Sequence, residues 1–350
     1  MVQRIIGVKA EHRPAAIRPA LPSGAAARVA AAPAEVRRLQ IDESSEGQRL
    51  DNFLLKLLKG VPKTHVYRVI RSGEVRVNRG RASVETRLAI GDEVRVPPVR
   101  TAEPSAKTVA PAREFPVVFE DDVLLAIDKP AGVAVHGGSG VSSGVIEQLR
   151  QARPQARFLE LVHRLDKETS GLLLIAKRRA ALTALQAQFR SRQGESAIGK
   201  TYSALVNGHW PANRKVIDVA LHKTVDSAGE RRVHTVDANH AGGRRSITLV
   251  RVAKDFERFT LLDVTIKTGR THQIRVHLAS EGHPVAGDDR YGDFAVNKSL
   301  ARGEAVAGVR FDRMFLHAAR LRFVHPATAE SVELQAALPA ECIRLMEALA

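Results

Sequence analysis

The sequence predicts an α+β chain built as a small basic unit followed by a larger one. Three observations carry this. Leu50, Phe53, Leu54, Leu57 and Leu58, then Val66, Val69 and Ile70, recur at helical spacing, and short strand-like runs follow them. Pro97 to about Arg113 holds several Pro, Ala and Thr with no apolar pattern, and reads as a linker. Beyond it, apolar runs of strand length recur at Leu172 to Ala176, Ser246 to Val252 and Phe259 to Ile266, with helical patterns between them. A chain of 350 residues is long enough for two domains and at least one sizeable core.

Residues 1–44 are rich in Ala, Pro and Arg and poor in large apolar residues, which predicts a mobile tail. The same stretch is Arg-rich and acid-poor, so a transit peptide is the second reading, weakened by the scarcity of Ser. Residues 45–100 form the small unit. Gly60, Pro62 and Thr64 break and restart its helix, and Gly73 ends it. Val75 to Asn78 reads as a strand, Arg79-Gly80 as a turn, and Glu93 to Val96 as a second strand after Gly91-Asp92. Arg68, Arg71, Arg76, Arg79 and Arg81 gather around the helix end and the turn. A solvated helix face would look the same locally.

The net charge is +16 with a pI near 10.5, which points to a polyanionic partner, most often nucleic acid. A generic basic protein rich in Arg and Ala has the same charge, so the charge alone does not decide. The single cysteine, Cys342, excludes disulfides within the chain, Cys-rich zinc sites and iron–sulfur clusters, and makes the cytoplasm the expected compartment. No apolar run approaches the ~20 residues needed to span a bilayer, and no secretory signal core is present at the N-terminus.

The larger unit, residues 114–350, begins at Phe115-Pro-Val-Val-Phe-Glu120 after a linker at 101–113. Two short strands end at Val123 to Ile127, and Asp128-Lys129-Pro130-Ala131-Gly132-Val-Ala-Val-His136 follows. Gly140-x-Ser142-x-Gly144 matches the nucleophile elbow of serine hydrolases, and His136-Gly-Gly resembles an oxyanion motif. The elbow needs a strand directly before its serine, and a Gly/Ser loop stands there instead. Ser142 or Ser143 capping a helix from Val145 to Gln151 is the expectation. Further helices are expected at Ala180 to Arg190 and Pro339 to Ala350, and a strand at Gly199 to Gly208. Residues 224–245, with Arg231, Arg232, Arg244 and Arg245, read as a loop or hairpin near the polyanion.

The chain is organised around Leu161-Val-His163-Arg164-Leu165-Asp166-Lys167-Glu168-Thr169-Ser170-Gly171. One apolar run, Leu159 to Val162, ends in a knot of charge, and a second, Leu172 to Ala176, begins at once. A plain strand connection would turn with Gly, Asn, Asp or Pro. The last block, Lys267-Thr-Gly269-Arg270-Thr271-His272-Gln273-Ile274-Arg275-Val-His277, runs on to Gly282-His283-Pro284 and Gly287-Asp288. Thr271 is placed to cap a helix that Gly282 and Pro284 end. His272 and His277 are five apart, about 140° on a helix and opposite faces of a strand, so they make no metal-ligand pair.

The His163-Arg164-Leu165-Asp166 string resembles the signature of a family of RNA pseudouridine synthases, which isomerise uridines in ribosomal and transfer RNA. The Lys-Pro, Lys200-Thr201-Tyr202 and Arg270-to-His277 blocks resemble further family blocks, in family order. Residues 45–100 resemble an S4 RNA-binding domain, a helix pair with short strands that presents basic residues to folded RNA, reading shape and phosphates. The order of blocks is that of the large-subunit ribosomal RNA branch.

The resemblance implies a catalytic domain built on a large mixed, mainly antiparallel sheet with flanking helices and a central cleft. It implies 23S ribosomal RNA as partner, no cofactor, no metal and no membrane; a monomer is expected. It makes Asp166 the catalytic residue, places Tyr202 in the active site, and assigns Arg275, with Arg270 as the alternative, to pair with Asp166. Arg164 fills the gap left by the flipped base. His163, Arg270, Arg68, Arg71 and Arg76 join the base-flipping and RNA-binding set.

Uridine joins its sugar through N1 and pseudouridine through C5, so the base must detach, rotate and reattach without escaping. A carboxylate near C1′ and a closed pocket suit that need, and an opposite charge favours the ionised form of a buried carboxylate. The target base must leave its stack. Tyr202 is placed either to stack on it or to take the C5 proton. Two rivals remain at this stage: a non-catalytic S4-type RNA-binding or ribosome-assembly protein, and an RNA N-glycosidase that releases free uracil.

Overall fold

A computed structural model describes residues 35–99, 110–138, 143–191, 198–225, 231–306 and 308–350. Most of the expected tail (1–34), most of the linker (100–109), and Gly140 and Ser142 of the elbow-like string lie outside the described residues.

The small unit is a four-stranded sheet backing a helix pair. Its elements are β1 (Arg37–Gln40), α1 (Leu50–Leu57), α2 (Lys63–Arg71), β2 (Arg76–Val77), β3 (Gly80–Arg81) and β4 (Glu93–Val96). β1 lies inside the stretch expected to be a mobile tail. It pairs antiparallel with β4, Arg37 opposite Val96, and Ile41 behind it is buried. Leu50 and Leu54 of α1 and Val66, Val69 and Ile70 of α2 meet Val94 and Val96 in one core. The hairpin turn is Asn78-Arg79, both at positive φ, with Gly80 already in β3; it sits one residue earlier than expected.

The larger unit is organised on an eleven-stranded sheet. Its elements in order are β5 (Val117–Glu120), β6 (Leu124–Lys129), α3 (Val145–Ala152), β7 (Glu160–Leu161), β8 (Ser170–Ala176), α4 (Arg179–Arg190), β9 (Gly199–Asn207), β10 (Val216–Val225), β11 (Arg231–Val236), β12 (Arg244–Asp255), β13 (Phe259–Ile266), α5 (Gln273–Ser280), α6 (Phe294–Arg302), β14 (Leu316–Val324), β15 (Ser331–Gln335) and α7 (Ala340–Ala348). The strand order is β11-β10-β12-β13-β9-β14-β8-β6-β5, with β15 paired to β14 and β7 to β8. β8 is buried along its whole length. Leu172 and Leu174 face Leu182 and Leu185 of α4, while Leu173 and Ile175 face Ile146 and Leu149 of α3. A strand covered on both faces carries a continuous apolar run rather than an alternating one.

Among the described residues every pairing in this sheet is antiparallel except one. β14 and β8 meet in parallel over His317↔Ser170 and Ala318↔Gly171. This short seam joins two antiparallel halves. A Cβ on Gly171, which sits at φ +107°, would lie 2.4 Å from the Ala318 carbonyl oxygen, so only glycine allows the approach. Beside it Ser170 Oγ donates to His317 Nδ1 at 2.9 Å and accepts from Arg313 at 2.7 Å. Burial pushes His317 down to about 4, so the imidazole is neutral.

Two caps differ from expectation. α3 is capped by Gly144, whose N–H, like that of Gly137, donates to the Glu147 carboxylate (2.9 and 3.0 Å); the cap position falls to this glycine and not to Ser143, and Ser142 lies outside the described residues. α5 is not capped by Thr271. His272 holds that position at φ +52°, and the Gln273 side chain accepts from Arg270 N–H and Thr268 Oγ1.

Candidate active site

The seam sets two groups of residues against one cavity of about 910 Å3. One group comes from the β7–β8 loop, the other from β9 and the entry of α5.

Asp166 sits in the β7–β8 loop, and three ties fix it. Leu165 is buried in the core beneath. Thr169 N–H donates to the Asp166 carbonyl at 3.2 Å. Lys129, fully buried, donates through Nζ to the carbonyls of Pro130, Val133 and Lys167 at 2.8, 2.9 and 3.0 Å. One cation thus staples the Lys-Pro loop to the loop that carries Asp166. Burial pushes that ammonium down to about 7, against the pull of Glu168. The Asp166 side chain keeps 28% of its surface open to the cavity, so it is less buried than the chemistry led us to expect.

Arg275 projects from α5 with its side chain only 5% exposed. Its Nη1 lies 3.6 Å from Asp166 Oδ2. Its tighter partner is Asp288, which accepts from Nε at 2.6 Å and Nη2 at 2.7 Å in a two-pronged pair. Burial opposes charge on both members, and their mutual attraction outweighs it, raising Arg275 and lowering Asp288. Asp289, exposed, adds a contact at 3.2 Å, and the Tyr291 ring lies 5.2 Å under the guanidinium. Arg275 is therefore a cation clamped from behind, with one nitrogen presented to Asp166.

His272 is a second neighbour of Asp166, with Nε2 3.9 Å from the carboxylate. Val233 N–H donates to Tyr291 Oη at 3.3 Å, and Tyr291 Oη shares a hydrogen bond with His272 Nδ1 at 2.9 Å. Burial lowers His272 below the usual imidazole range, partly offset by Asp166. His277 is remote from this: buried, it bonds Thr248 Oγ1 and the Val219 carbonyl. Among the described residues no group of three or more His, Cys, Asp or Glu side chains is placed to hold a metal ion.

Tyr202 on β9 lines the cavity and packs against the cores on both sides of the seam. Burial, reinforced by Asp166, raises its phenol, so it stays protonated at neutral pH. Lys200, two residues before it, also lines the cavity. Its Nζ lies 5.3 Å over the Phe189 ring, and burial lowers its ammonium.

Sequence reasoning brings Asp166, Tyr202, Arg275, Arg270 and Arg164 to one cavity, and all five line it. Arg164 is exposed beside Asp166. His163, grouped with the RNA-binding residues, also lines the cavity and is tied to the framework. Its Nε2 accepts from Leu174 N–H at 3.1 Å and its ring stacks on Phe189 at 4.7 Å. Burial pushes it down to about 3, so it is neutral. Arg68, Arg71 and Arg76 are exposed on the small unit, and Arg76 donates to the Arg79 carbonyl. Asp288, Tyr291, His272 and Lys129 were missed as site residues. The Gly287-Asp288 pair looks like a turn, and nothing local marks its carboxylate as the arginine clamp.

The sequence pattern of the RNA pseudouridylate synthase family matches residues 123–280, and that of the S4 domain matches residues 48–94. The ribosomal large subunit pseudouridine synthase C of Yersinia pestis is 48% identical over 309 residues, covering 87% of this chain and 92% of that protein. The protein of the same name from Escherichia coli strain K12 is 46% identical over 320 residues, covering 90% and 97%. Among solved structures, human RNA pseudouridylate synthase domain containing 4 aligns with a TM-score of 0.53 and 25% identity, over 67% of this chain and 92% of that one. Human RNA pseudouridylate synthase domain containing 1 gives 0.51 and 27%, over 65% and 84%. The sequence blocks, the two-unit architecture and these likenesses agree: the chain belongs to the RNA pseudouridylate synthase family.

Proposed function

We propose that this protein isomerises uridines of 23S ribosomal RNA to pseudouridine, with Asp166 as the catalytic residue. The observation that carries the reading is the Asp166 carboxylate at one wall of the 910 Å3 cavity, faced by an arginine that Asp288 clamps from behind. The relatives named for the large ribosomal subunit match nearly their whole length, which supports the choice of RNA.

The small unit docks the RNA through phosphate contacts from Arg68, Arg71 and Arg76. The target uridine leaves its stack at a cost of a few kcal/mol, and Arg164, exposed beside Asp166, takes the place it vacates. Asp166 then acts at the sugar, and Arg275, with His272 beside it, flanks its Oδ2. The glycosidic bond breaks with its electron pair going to N1, the base rotates inside the cavity, C5 bonds to C1′, and the C5 proton is released to water as N1 takes one up, so the net change is an isomerisation. Tyr202 supplies a flat surface for the rotating base; its protonated phenol suits stacking better than it suits a resident base. The protein works as a cytoplasmic monomer.

Nucleoside analysis of ribosomal RNA incubated with the protein tests this. Pseudouridine is the expected product. Free uracil would identify an N-glycosidase, and unchanged RNA a binding protein without catalysis.

A further inference from the structure

Beside the main cavity lies a second one of about 400 Å3, bounded by β10, β11 and the start of β12. Its volume falls within the range of about 300–1,000 Å3 that holds small ligands. Gly269, Arg270 and Thr271 line both cavities, so one short loop forms a wall of each. We propose that this second cavity is a subsite for a nucleotide flanking the target uridine in the same RNA strand; the proposal rests on the reading of the main cavity as the uridine pocket.

The chemistry of the walls selects a nucleotide. Lys223, Arg244 and Arg270 supply positive charge for a phosphate. Among the described residues neither Lys223 nor Arg244 is held in an ion pair, whereas the adjacent Arg245 is bound to Asp218 at 3.0 Å. Leu221 and Val233 give an apolar side. His222 gives a ring: it stands opposite His234 across the hairpin, with centroids 5.6 Å apart, and packs against His240 at 4.7 Å. Gly242, at φ +88°, lets the chain close on that ring, since a Cβ there would lie 2.9 Å from His222 Cε1. The Nδ1 of His222 is buried on the side that Gly242 covers, so the ring and not its nitrogen is what the cavity offers. The two cations Lys223 and Arg244, a braced ring and an apolar side in one concavity match phosphate and base together. An RNA strand that delivers one base to the main cavity runs its neighbour past this one.

The test uses the full-length protein and an RNA fragment centred on a uridine that the wild type converts. Each nucleotide within two positions on either side is made abasic in turn, and single-turnover pseudouridine formation is measured. The wild type should lose about tenfold at one flanking position, the scale of one base–aromatic stack. His222→Ala should show that loss on intact RNA and no further loss when the same position is abasic, because the contact is already gone. His222→Phe, which keeps a ring, should retain the sensitivity. The Lys223→Ala, Arg244→Ala double variant should flatten the dependence of log affinity on log salt by about 0.7 per lost contact. Equal sensitivity of the wild type and His222→Ala at every abasic position overturns the subsite, and so does an unchanged salt slope. A wild type that converts no uridine in ribosomal RNA overturns the reading of the main cavity and the subsite with it.

Discussion

Replacing Asp288 by Asn should destabilise the catalytic domain strongly, while replacing its neighbour Asp289 by Asn should not. Both carboxylates touch Arg275, at 2.6 and 3.2 Å, but Asp288 is fully buried and the Asp289 side chain is 77% exposed. Asn at 288 keeps an acceptor for the N–H groups of Arg290 and Tyr291, both at 2.9 Å, but turns an NH2 group or a neutral oxygen toward a buried guanidinium. Breaking a buried ion pair by removing one partner costs about 3–5 kcal/mol, whereas an exposed pair contributes about 0–1 kcal/mol. Trp210 is the only tryptophan in the chain and is buried in the larger unit, so its fluorescence during urea unfolding follows that unit alone. The folded-state value of Asp288 is lowered, so its contribution is present above the unfolded carboxylate value of about 3.9 and is lost as pH falls through the folded one. The gap between the wild type and Asp288→Asn should therefore be constant from pH 5 to 8 and narrow below about 4. A difference under about 1 kcal/mol at pH 7, or equal effects of the two substitutions, would refute the clamp.

Three further outcomes are expected. Arg275→Lys should keep some pseudouridine formation and Arg275→Met almost none, because lysine keeps the charge but loses the two-pronged fit to Asp288; equal rates for both variants in single-turnover assays would contradict the geometry. Arg68→Ala with Arg71→Ala should flatten the salt dependence of RNA binding by about 0.7 to 0.9 per lost phosphate contact, since both side chains are exposed; an unchanged slope would place docking elsewhere. Burial pushes Lys129 down to about 7, well under the value of about 10.4 for an unfolded lysine. The unfolded chain therefore binds more protons between those values, and stability should rise with pH there; Trp210-monitored unfolding at pH 7 and 9 should show that rise in the wild type and a smaller one in Lys129→Met.

Much of the architecture was legible because local pattern and tertiary role agree. β8 reads as a buried strand since both its faces are covered, and α1 and α2 show their apolar stripes directly. β14 was not legible: His317, Arg320 and Arg322 interrupt it, and it is held by neighbours on both sides rather than by its own pattern. β1 hid in a basic, proline-containing stretch whose pairing with β4 is decided some fifty residues away. In the site, Asp166 and Arg275 stand in dense, chemically odd strings. Asp288 does not, because its meaning depends on the fold returning the chain beneath α5. His163 lines the cavity but also has a structural tie that its string does not announce. Its neighbour Arg164 is exposed, while in the bend after β7 His163 reaches back onto Leu174 N–H and Phe189.

The central claim is that Asp166 performs chemistry rather than docking, and one comparison tests it most directly. Asp166→Asn keeps the size of the side chain and removes its charge at the cavity wall, 3.6 Å from Arg275. Nucleoside analysis of ribosomal RNA after single-turnover incubation should find no pseudouridine with this variant, while its RNA affinity stays within about tenfold of the wild type, a change under about 1.4 kcal/mol. Pseudouridine formed at close to the wild-type rate would contradict the account.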